Sequence, residues 1–247
     1  MAKSKLRLDK LLLERGLVET RSKAEALIRT GVVLVNDSPI DKPGVQVSSD
    51  VQIRLKGAQS PYVGRGGEKL AGALDAFGLS VEGCVVLDVG SSTGGFTDCM
   101  LQRGAVKSYA VDVGTNQLDY KLRSDERVVV MEQQNAKALS PDMFEDAPQF
   151  AAIDVSFIGL TKVLKPVVGV LQRPFVILAM VKPQFELAPE YVSKGGVVKD
   201  AQLQLKAVKQ VQDYAIGLGL EVSEAEPAVI RGNKKGNQEY FICIRGS

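Results

Sequence analysis

VVLDVGSSTGGFT, residues 85–97, leads an apolar strand straight into a glycine-rich turn. A tight strand-to-helix turn needs glycine where the backbone must come close to a ligand. Two carboxylates sharpen this pattern, because Asp88 closes the strand and Asp112 closes the next one, 24 residues later. A carboxylate at the second position can accept hydrogen bonds from both hydroxyls of a ribose. The segment therefore predicts a nucleoside-binding α/β domain.

The glycine spacing argues against a dinucleotide ligand. A pyrophosphate-binding turn has the pattern G-x-G-x-x-G, but this segment supplies only Gly90, Gly94 and Gly95, and Ser92 stands where a glycine is expected. No Gly-Lys-Ser or Gly-Lys-Thr ending follows. The pattern favours a nucleoside without phosphates whose charged end is an amino acid. A purely structural turn is the alternative.

Periodicity on both sides of this turn predicts alternating strands and helices. Strands are expected at 84–90, 108–113, 127–131, 150–154, 175–181 and 239–244. Helices are expected at 70–77, 95–103, 160–170 and 201–218, the last with an apolar face of Leu205, Val208, Val211, Ala215 and Leu218. Alternating units of this kind form an open, mostly parallel sheet with helices on both faces. The predicted class is therefore α/β and Rossmann-like.

The first 66 residues are basic, with 12 Lys and Arg against 7 Asp and Glu, whereas the remainder carries 19 against 22. Two short amphipathic helices are predicted at 6–15 and 20–30, the second with a capping box of Ser22 and Glu25. Short strands follow at 32–35, 45–47 and 51–55. The helices are expected to expose Arg7, Lys10, Arg21, Lys23 and Arg29. This module predicts contact with a polyanion, and a merely solvated basic face is the alternative.

The absence of histidine excludes several kinds of site. The 247 residues contain no His, and the cysteines Cys84, Cys99 and Cys243 form no C-x-x-C pair. No metal site and no Ser-His or Cys-His catalysis is expected, so proton transfer must use Lys, Asp, Glu or Tyr. Unpaired cysteines, the lack of a signal-like segment and apolar stretches of at most seven residues predict a cytoplasmic protein without membrane contact.

The N-terminal pattern resembles the S4 RNA-binding domain. The resemblance rests on RLDKL (residues 7–11), RSKA (21–24) and IRTG (28–31), followed by a valine–asparagine pair at 35–36. In S4 domains the two helices present basic side chains to the phosphates of folded RNA, which gives affinity without reading base sequence. The resemblance implies a small α+β domain at residues 1–59. A polar, glycine-rich linker is predicted at 60–67, before a second domain at 68–247.

The segment DVGSSTGGFT (88–97) resembles the first motif of FtsJ-like methyltransferases. The likeness continues through DVSFI (154–158), VKPQF (181–185) and KGGVV (194–198), and together with the S4-like part it resembles the TlyA, or hemolysin A, family. This resemblance implies a seven-stranded S-adenosylmethionine-dependent fold and 2′-O-methylation of ribosomal RNA, usually at cytidine. It places the methionine portion of the cofactor at 90–97, the ribose at Asp112 and the adenine at Asn135 and Ala136. The full set of implied cofactor residues is Asp88, Gly90, Ser91, Ser92, Thr93, Gly94, Gly95, Phe96, Thr97, Asp112, Val113, Asn135 and Ala136.

The resemblance also implies a catalytic tetrad of Lys69, Asp154, Lys182 and Glu239, and each position is filled. Asp154 and Lys182 follow apolar strands, so both are expected at the carboxyl edge of the sheet, where ligands bind. A ribose 2′-hydroxyl is a poor nucleophile until it loses its proton. Our hypothesis makes Lys182 the base, positioned by Asp154 and Glu239, while Lys69 steadies the hydroxyl oxygen. Unrelated surface ion pairs are the alternative.

Further RNA contacts are predicted at Arg65 and, in a turn-prone loop before the last strand, at Lys234 and Lys235. The candidates for stacking a splayed base are Phe157, Phe185 and Tyr240. Three other functions stay open: a membrane-damaging hemolysin, a nucleotide-dependent oxidoreductase and a non-catalytic ribosome-binding factor. The residues themselves indicate neither the target nucleotide, the ribosomal subunit nor the oligomeric state.

Overall fold

The computed structural model describes residues 5–18, 20–36, 38–51, 53–55, 60–229 and 237–247. The chain divides into two compact units, Met1–Ser60 and Pro61–Ser247. Each unit has its own apolar core. The two units are described separately below.

The first unit combines two helices with short antiparallel strands. Its elements in chain order are β1 (Lys5–Arg7), α1 (Leu8–Glu14), α2 (Arg21–Arg29), β2 (Val33–Val35), β3 (Ser38–Pro39), β4 (Gln46–Ser48) and β5 (Ile53–Leu55). Strand β1 pairs with β4, while β2 lies between β3 and β5. Leu8, Leu12 and Ile28 are completely buried and join the helices to the strands.

Two sequence predictions for this unit were wrong in detail. The first helix begins at Leu8 rather than at residue 6, because Leu6 and its neighbours are extended and pair with β4. The second helix has Thr20 as its N-cap, whose side chain accepts a hydrogen bond from the Lys23 amide at 3.2 Å. Ser22 is therefore inside the helix and does not form the predicted capping box.

The second unit alternates strands and helices. Its elements are α3 (Arg65–Ala76), β6 (Val85–Val89), α4 (Gly95–Gln102), β7 (Lys107–Val111), α5 (Tyr120–Arg123), β8 (Val128–Met131), β9 (Phe150–Ile153), α6 (Leu164–Val170), β10 (Phe175–Val181), α7 (Pro183–Glu186), α8 (Ala201–Gly217), β11 (Glu221–Val222), β12 (Glu226–Pro227) and β13 (Tyr240–Gly246). Short 3₁₀ helices lie at Ala136–Ala138, Pro141–Met143, Leu160–Lys162 and Pro189–Tyr191.

The strands form one mostly parallel sheet in the order β11-β13-β10-β9-β6-β7-β8. Neighbouring strands from β10 to β8 are parallel, whereas β13 runs antiparallel to β10. The short strand β12 also pairs with β13, beside the seven strands of the main path. The direction of chain progression reverses between β6 and β9, and an open α/β sheet binds ligands at the carboxyl ends of strands at such a point. The predicted α/β class is confirmed.

Helices cover both faces of this sheet, because alternate strand residues point to opposite sides. On one face, Leu87 and Ile153 pack with residues of α6 and α8. On the other face, Val86, Ala152 and Leu178 pack with residues of α3 and α4. The buried stripe of α8 comprises Ala207, Val208, Val211 and Ala215. Leu205, which the sequence pattern placed on this stripe, is 58% exposed.

The second unit begins earlier than the linker prediction of 60–67 implies. Helix α3 already starts at Arg65. The residues before it are held against α4, because the Val63 amide donates to Asp98 Oδ2 at 2.9 Å and Gln102 Nε2 donates to the Pro61 carbonyl at 3.0 Å. Much of the polar, glycine-rich stretch is thus structured, since the buried Asp98 carboxylate and the exposed Gln102 amide on α4 form hydrogen bonds with its backbone.

Candidate active site

Strand alternation brings three of the four proposed catalytic residues to one face of the sheet. Ala152, Met180 and Phe241 all belong to the core layer under α3 and α4. Asp154 and Lys182 lie two positions beyond the first two, and Glu239 lies two positions before the third. Helix α3, which covers the same layer, carries the fourth residue, Lys69.

The four residues form two ion pairs. Lys69 Nζ lies 2.5 Å from Glu239 Oε2, and Lys182 Nζ lies 2.5 Å from Asp154 Oδ1. The second contact is an ion pair without hydrogen-bond geometry, while Lys182 Nζ donates a hydrogen bond to Ser156 Oγ at 2.9 Å. The exposed side-chain fractions are 12% for Lys69, 9% for Glu239, 10% for Lys182 and 22% for Asp154. Each cation is thus largely shielded from solvent and lies against one carboxylate.

Two adjoining cavities lie at the carboxyl edge of the sheet, and of the four paired residues Asp154 is the one that lines them, whereas Lys69, Lys182 and Glu239 do not. The larger has a volume of about 510 Å³ and the smaller about 160 Å³. Gly90, Ser92 and Asp154 line both. Of the other proposed cofactor residues, Asp112, Val113, Asn135 and Ala136 line the larger cavity, and Ser91, Thr93, Gly95 and Phe96 line the smaller. Asp88, Gly94 and Thr97 line neither.

Glycine is required at two positions of the turn for different reasons. Gly90 has φ +89°, and a Cβ there would lie 2.5 Å from the Asp154 carbonyl oxygen. Gly94 has φ +94°, and a Cβ there would lie 2.2 Å from Leu122 Cδ1. Gly90 thus lets the turn approach the neighbouring strand end at the cavity wall. Gly94 is needed for packing against α5 instead.

Asp88 is a buried carboxylate with one unsatisfied oxygen. Its Oδ2 accepts hydrogen bonds from the Thr97 amide at 2.8 Å and the Thr97 hydroxyl at 2.7 Å. Its Oδ1 is buried and accepts no hydrogen bond from the residues that the structure describes. The pKa of Asp88 is raised to about 7, chiefly by burial and to a smaller extent by the nearby carboxylates of Asp154 and Asp112, while the Thr97 hydrogen bonds oppose this shift. Buried polar atoms normally have partners, so this group favours a cationic ligand nearby.

Asp112 is fixed by backbone amides. The Ser92 amide donates to Asp112 Oδ2 at 2.8 Å, and the Gly114 amide donates to Oδ1 at 2.7 Å. Ser92 takes the left-handed conformation, with φ 47°, although it is not glycine. Each carboxylate oxygen has two lone pairs, so Asp112 keeps acceptors for ribose hydroxyls. Two acids, Asp112 and Asp154, therefore line the cavities, and Asp88 lies buried behind the turn. This arrangement suits S-adenosylmethionine with its sulfonium and ammonium charges and disfavours phosphates.

Sequence reasoning missed several residues around this site. Ser156 contacts Lys182 directly, and its position two residues after Asp154 at a strand end was a usable signal. Gln117, Gln134 and Lys137 also line the larger cavity. No periodicity or motif indicated these three, because Gln117 and Gln134 lie on loops and Lys137 on a one-turn 3₁₀ helix, whose course depends on the tertiary structure. The remaining unpredicted lining residues are Gly66, Val111, Val155, Ile158 and Val163, while Phe157, a predicted stacking residue, also lines the larger cavity.

The three aromatic stacking candidates separate into two groups. Phe157 is 92% exposed and lies 5.3 Å from Phe185 between ring centroids. Phe157 also has a left-handed backbone, with φ 64°. Tyr240 instead donates its hydroxyl to Gln204 Oε1 at 2.8 Å and packs with the α6 and α8 core layer. Tyr240 therefore faces away from the layer that carries the ion pairs.

The basic residues of the first unit are organised by two acids. Asp9 is completely buried and accepts from Arg7 Nε and from Arg21 Nε, each at 3.0 Å. The hydrogen bond from Arg7 is the main reason that the pKa of Asp9 is lowered to about 2. Glu25 pairs with Arg21 at 3.4 Å and with Arg29 at 3.7 Å. The helices thus present ordered arginines rather than independent cations.

The other predicted RNA contacts differ in their settings. Lys10 and Lys23 are exposed in the first unit. Arg65 is exposed at the first residue of α3. Lys234 and Lys235 lie outside the described residues.

Comparison with known proteins identifies both units. Residues 62–246 match the FtsJ-like methyltransferase family, and residues 6–53 match the S4 domain. The chain belongs to the FtsJ-like methyltransferases. The fold around the glycine-rich turn is therefore that of an enzyme family that transfers methyl groups, preceded by an S4 domain.

Full-length relatives support this assignment. The chain is 46% identical over 246 residues to a Bacillus subtilis protein named "Putative rRNA methyltransferase YqxC", covering 99% of this chain and 87% of that protein. It is 40% identical over 240 residues to the 16S/23S rRNA (cytidine-2′-O)-methyltransferase TlyA of Mycobacterium tuberculosis, covering 97% and 89%. A solved structure named "Putative hemolysin", from Streptococcus thermophilus, matches with a TM-score of 0.76 and 42% identity over 100% of this chain and 90% of that one.

The hemolysin name of that relative raises the question of membrane contact. Across the part of the chain that the structure describes, no helix has both the length and the apolar character to cross a bilayer.

Proposed function

We propose that this FtsJ-like methyltransferase transfers a methyl group from S-adenosylmethionine to a ribose 2′-hydroxyl of ribosomal RNA, with cytidine as the target nucleotide. The observation that carries the proposal is the pair of shielded ion contacts, Lys69–Glu239 and Lys182–Asp154, beside an acid-lined cavity. The name of the Mycobacterium tuberculosis relative, a cytidine-2′-O-methyltransferase of 16S and 23S rRNA, supports the target.

The cofactor would lie along the two adjoining cavities. The turn from Gly90 to Gly95 would hold the methionine portion, Asp112 would accept the ribose hydroxyls, and Asn135 and Ala136 would flank the adenine. Asp88 would contribute its negative charge from beneath the turn without direct contact, since it lines neither cavity. When bound, S-adenosylmethionine supplies a sulfonium methyl group that is already activated for attack by an oxygen nucleophile.

The residues of the chain supply the proton transfer. In its neutral form Lys182 would accept the proton of the 2′-hydroxyl, so that the oxygen's electron pair is free to take the methyl group. The carbon–sulfur bond would break, and its electron pair would leave with the sulfur as the neutral thioether of S-adenosylhomocysteine. Asp154 then stabilises the ammonium that Lys182 has become, and Ser156 orients its Nζ. Lys69, held by Glu239, donates a hydrogen bond to the oxygen as negative charge develops there. Alignment of these groups with the methyl carbon provides the rest of the acceleration.

A Lys182→Ala variant tests this assignment. We expect methyl transfer to rRNA to fall below detection, while S-adenosylmethionine binding measured by calorimetry stays within about threefold, because Lys182 lines neither cavity. Lys209→Ala is the matched control, since Lys209 is an exposed lysine on α8. Full activity in the Lys182 variant would overturn the assignment.

The same binding experiment separates the proposal from other classes of function. Titration with NAD in place of S-adenosylmethionine should give no heat. Binding of NAD alone would indicate an oxidoreductase. Binding of RNA without methyl transfer by the wild-type chain would indicate a non-catalytic factor, and lysis of liposomes without cofactor would indicate a hemolysin.

We propose that the S4 domain and Arg65, with Lys234 and Lys235, contact phosphates of the ribosomal RNA. The ordered arginines around Asp9 support this, because a preorganised guanidinium array binds phosphates with less entropy loss. Such contacts hold and position the RNA while the target ribose enters the active site. We expect the protein to act in the cytoplasm. Mapping of 2′-O-methyl positions on rRNA from cells with and without the gene would identify the nucleotide.

A further inference from the structure

Two loops carry the residues around the Lys182 amine, and three contacts along their length join them. The first loop, residues 154–160, follows β9 and runs to the 3₁₀ helix at Leu160–Lys162, and the second loop, residues 182–186, follows β10 and consists of Lys182 and the one-turn helix α7. Lys182 Nζ donates to Ser156 Oγ at 2.9 Å, and the Phe157 and Phe185 rings lie 5.3 Å apart. At the far end, the Leu160 amide donates to Glu186 Oε1 at 2.8 Å. The loops are therefore fastened at both ends.

Glu186, which accepts the hydrogen bond at the far end of the two loops, is an unusual residue for a partly buried position. Its side chain is half-buried, and burial raises its pKa to about 7, against the opposing effects of the Leu160 hydrogen bond and the positive charge of Lys162. Burial of a carboxylate with so few partners is unfavourable. A hydrophobic residue would fill this place at lower cost unless the hydrogen bond itself has a use.

The backbone beside Glu186 is adapted to its carboxylate. A Cβ on Gly159 would lie 2.9 Å from Glu186 Oε2 and 3.3 Å from the Phe185 carbonyl oxygen. Gly159 has an ordinary φ of −74°, so the missing side chain is needed for space rather than for backbone conformation. The first loop can therefore approach the carboxylate closely enough for the Leu160 hydrogen bond.

The first loop also contains a strained residue. Phe157 holds a left-handed backbone, with φ 64°, and its side chain is 92% exposed. A non-glycine residue in this conformation costs roughly 1–2 kcal/mol. Burial of its own side chain does not offset that cost, so the loop needs an attachment beyond Phe157 to keep its course. The hydrogen bond from Leu160 to Glu186 is such an attachment.

We infer that Glu186 is a positioning residue of the active site, which holds loop 154–160 against loop 182–186 and so sets Asp154 and Ser156 around the Lys182 amine. This role rests on the proposed function. Glu186 touches neither reactant. Its carboxylate acts through the backbone of Leu160, and an amide oxygen in the same place would serve equally well.

Two substitutions at Glu186 test the role. Glu186→Ala should lower the turnover number about 10- to 100-fold, because a displacement of about 1 Å near reacting groups can have that effect. S-adenosylmethionine affinity should change less than about twofold. Glu186→Gln keeps an acceptor for the Leu160 amide and should return the turnover to within about threefold of wild type. Glu190→Ala is the matched control, since Glu190 is an exposed acid four residues on.

Hydrogen exchange gives a readout that does not depend on activity. Amides in a peptide covering residues 154–163 should exchange faster in Glu186→Ala than in wild type, and at the wild-type rate in Glu186→Gln. If the wild-type chain transfers no methyl group but the three proteins still differ in exchange in this way, the proposed function is wrong and the contact between the loops through Glu186 is supported. Equal exchange in all variants would overturn the inference, as would a Gln variant as impaired as the Ala variant.

A second site provides the same test should Glu186→Ala fail to fold. Gly159→Ala keeps the Glu186 side chain, but the new methyl group should push its carboxylate away from the Leu160 amide. Turnover should therefore fall several-fold, and the amides of residues 154–163 should exchange faster, as in Glu186→Ala. The double variant should be no slower than Glu186→Ala alone, since both changes break one contact. Additive losses would contradict the inference.

Discussion

Replacing Asp88 by asparagine should stabilise the cofactor-free protein at alkaline pH and weaken its binding of a cationic cofactor. Asp88 is completely buried, one of its oxygens accepts no hydrogen bond, and its pKa is raised from 3.8 to about 7, chiefly by burial. Asparagine keeps an oxygen that can accept both hydrogen bonds from Thr97. Because asparagine does not ionise, the variant lacks the buried negative charge that destabilises the folded wild-type protein at high pH.

The pKa shift sets the size of the effect. Between pH 3.8 and about 7 the unfolded chain has lost the Asp88 proton and the folded chain retains it, so wild-type stability falls as pH rises through this window. At about 1.4 kcal/mol per pKa unit, the full loss is about 4 kcal/mol above pH 7. The asparagine NH₂ group is a buried donor without a partner, which costs roughly 1–3 kcal/mol. The variant should therefore be more stable by roughly 1–3 kcal/mol at pH 8.5 and no more stable at pH 4.

Urea unfolding of the full chain at pH 4 and pH 8.5 measures this difference. All six tyrosines lie between residues 62 and 240, so tyrosine fluorescence reports on the second unit alone. Asp142→Asn, an exposed acid, is the matched control and should stay within about 0.5 kcal/mol of wild type at both values. A difference in unfolding free energy between wild type and Asp88→Asn that does not change with pH would contradict the role given to Asp88 ionisation. So would a variant that is less stable at pH 8.5.

Three further substitutions have defined outcomes. Asp9→Asn should lower stability by about 1–2 kcal/mol at pH 7, a value discounted because the paired arginines are partly exposed. The higher unfolding free energy of the wild type should persist above pH 4 and disappear as pH falls through about 2. Unfolding followed by circular dichroism measures this, and a difference in free energy that stays constant with pH would contradict the prediction. Gly94→Ala should reduce the free energy of unfolding by more than 2 kcal/mol because of its clash with Leu122, whereas Gly83→Ala, also at positive φ but in open space, should cost less. Equal losses in chemical denaturation would remove the clash argument. Lys10→Ala should weaken RNA binding equally for different RNA sequences, and it should reduce the slope of log affinity against log salt concentration by about one. Filter binding at several salt concentrations measures this slope, and an unchanged slope would show that Lys10 contacts no phosphate.

Local patterns made much of the second unit predictable. Strand β6 has apolar residues facing both sides of the sheet, which is typical of a buried parallel strand. Glycines follow it because residues 90 and 94 adopt positive φ angles. Asp154 and Lys182 could be placed at one edge of the sheet because parallel strands end on the same side. Their proposed roles in proton transfer stay a prediction until the variants are measured.

Local patterns were insufficient where a distant partner decided the structure. Leu6 fits the apolar period of α1, yet pairing with β4 draws it into a strand. Leu205 fits the approximate period of α8, but it lies beside the buried stripe on the solvent side of the helix and is 58% exposed. Tyr240 was placed near the catalytic residues by its neighbour Glu239, although adjacent strand residues point to opposite faces.

The turn at residues 85–97 and the acids at the strand ends follow from the sequence alone, because backbone conformation and side-chain period depend on near neighbours. Which charges meet depends instead on the assembled fold. Lys69 and Glu239 are 170 positions apart and become partners through the strand order and the packing of α3. The fastening of Leu160 by Glu186 likewise depends on two loops that adjacent parallel strands bring together. Contacts of this kind follow from how the sheet is assembled, and no local period encodes them.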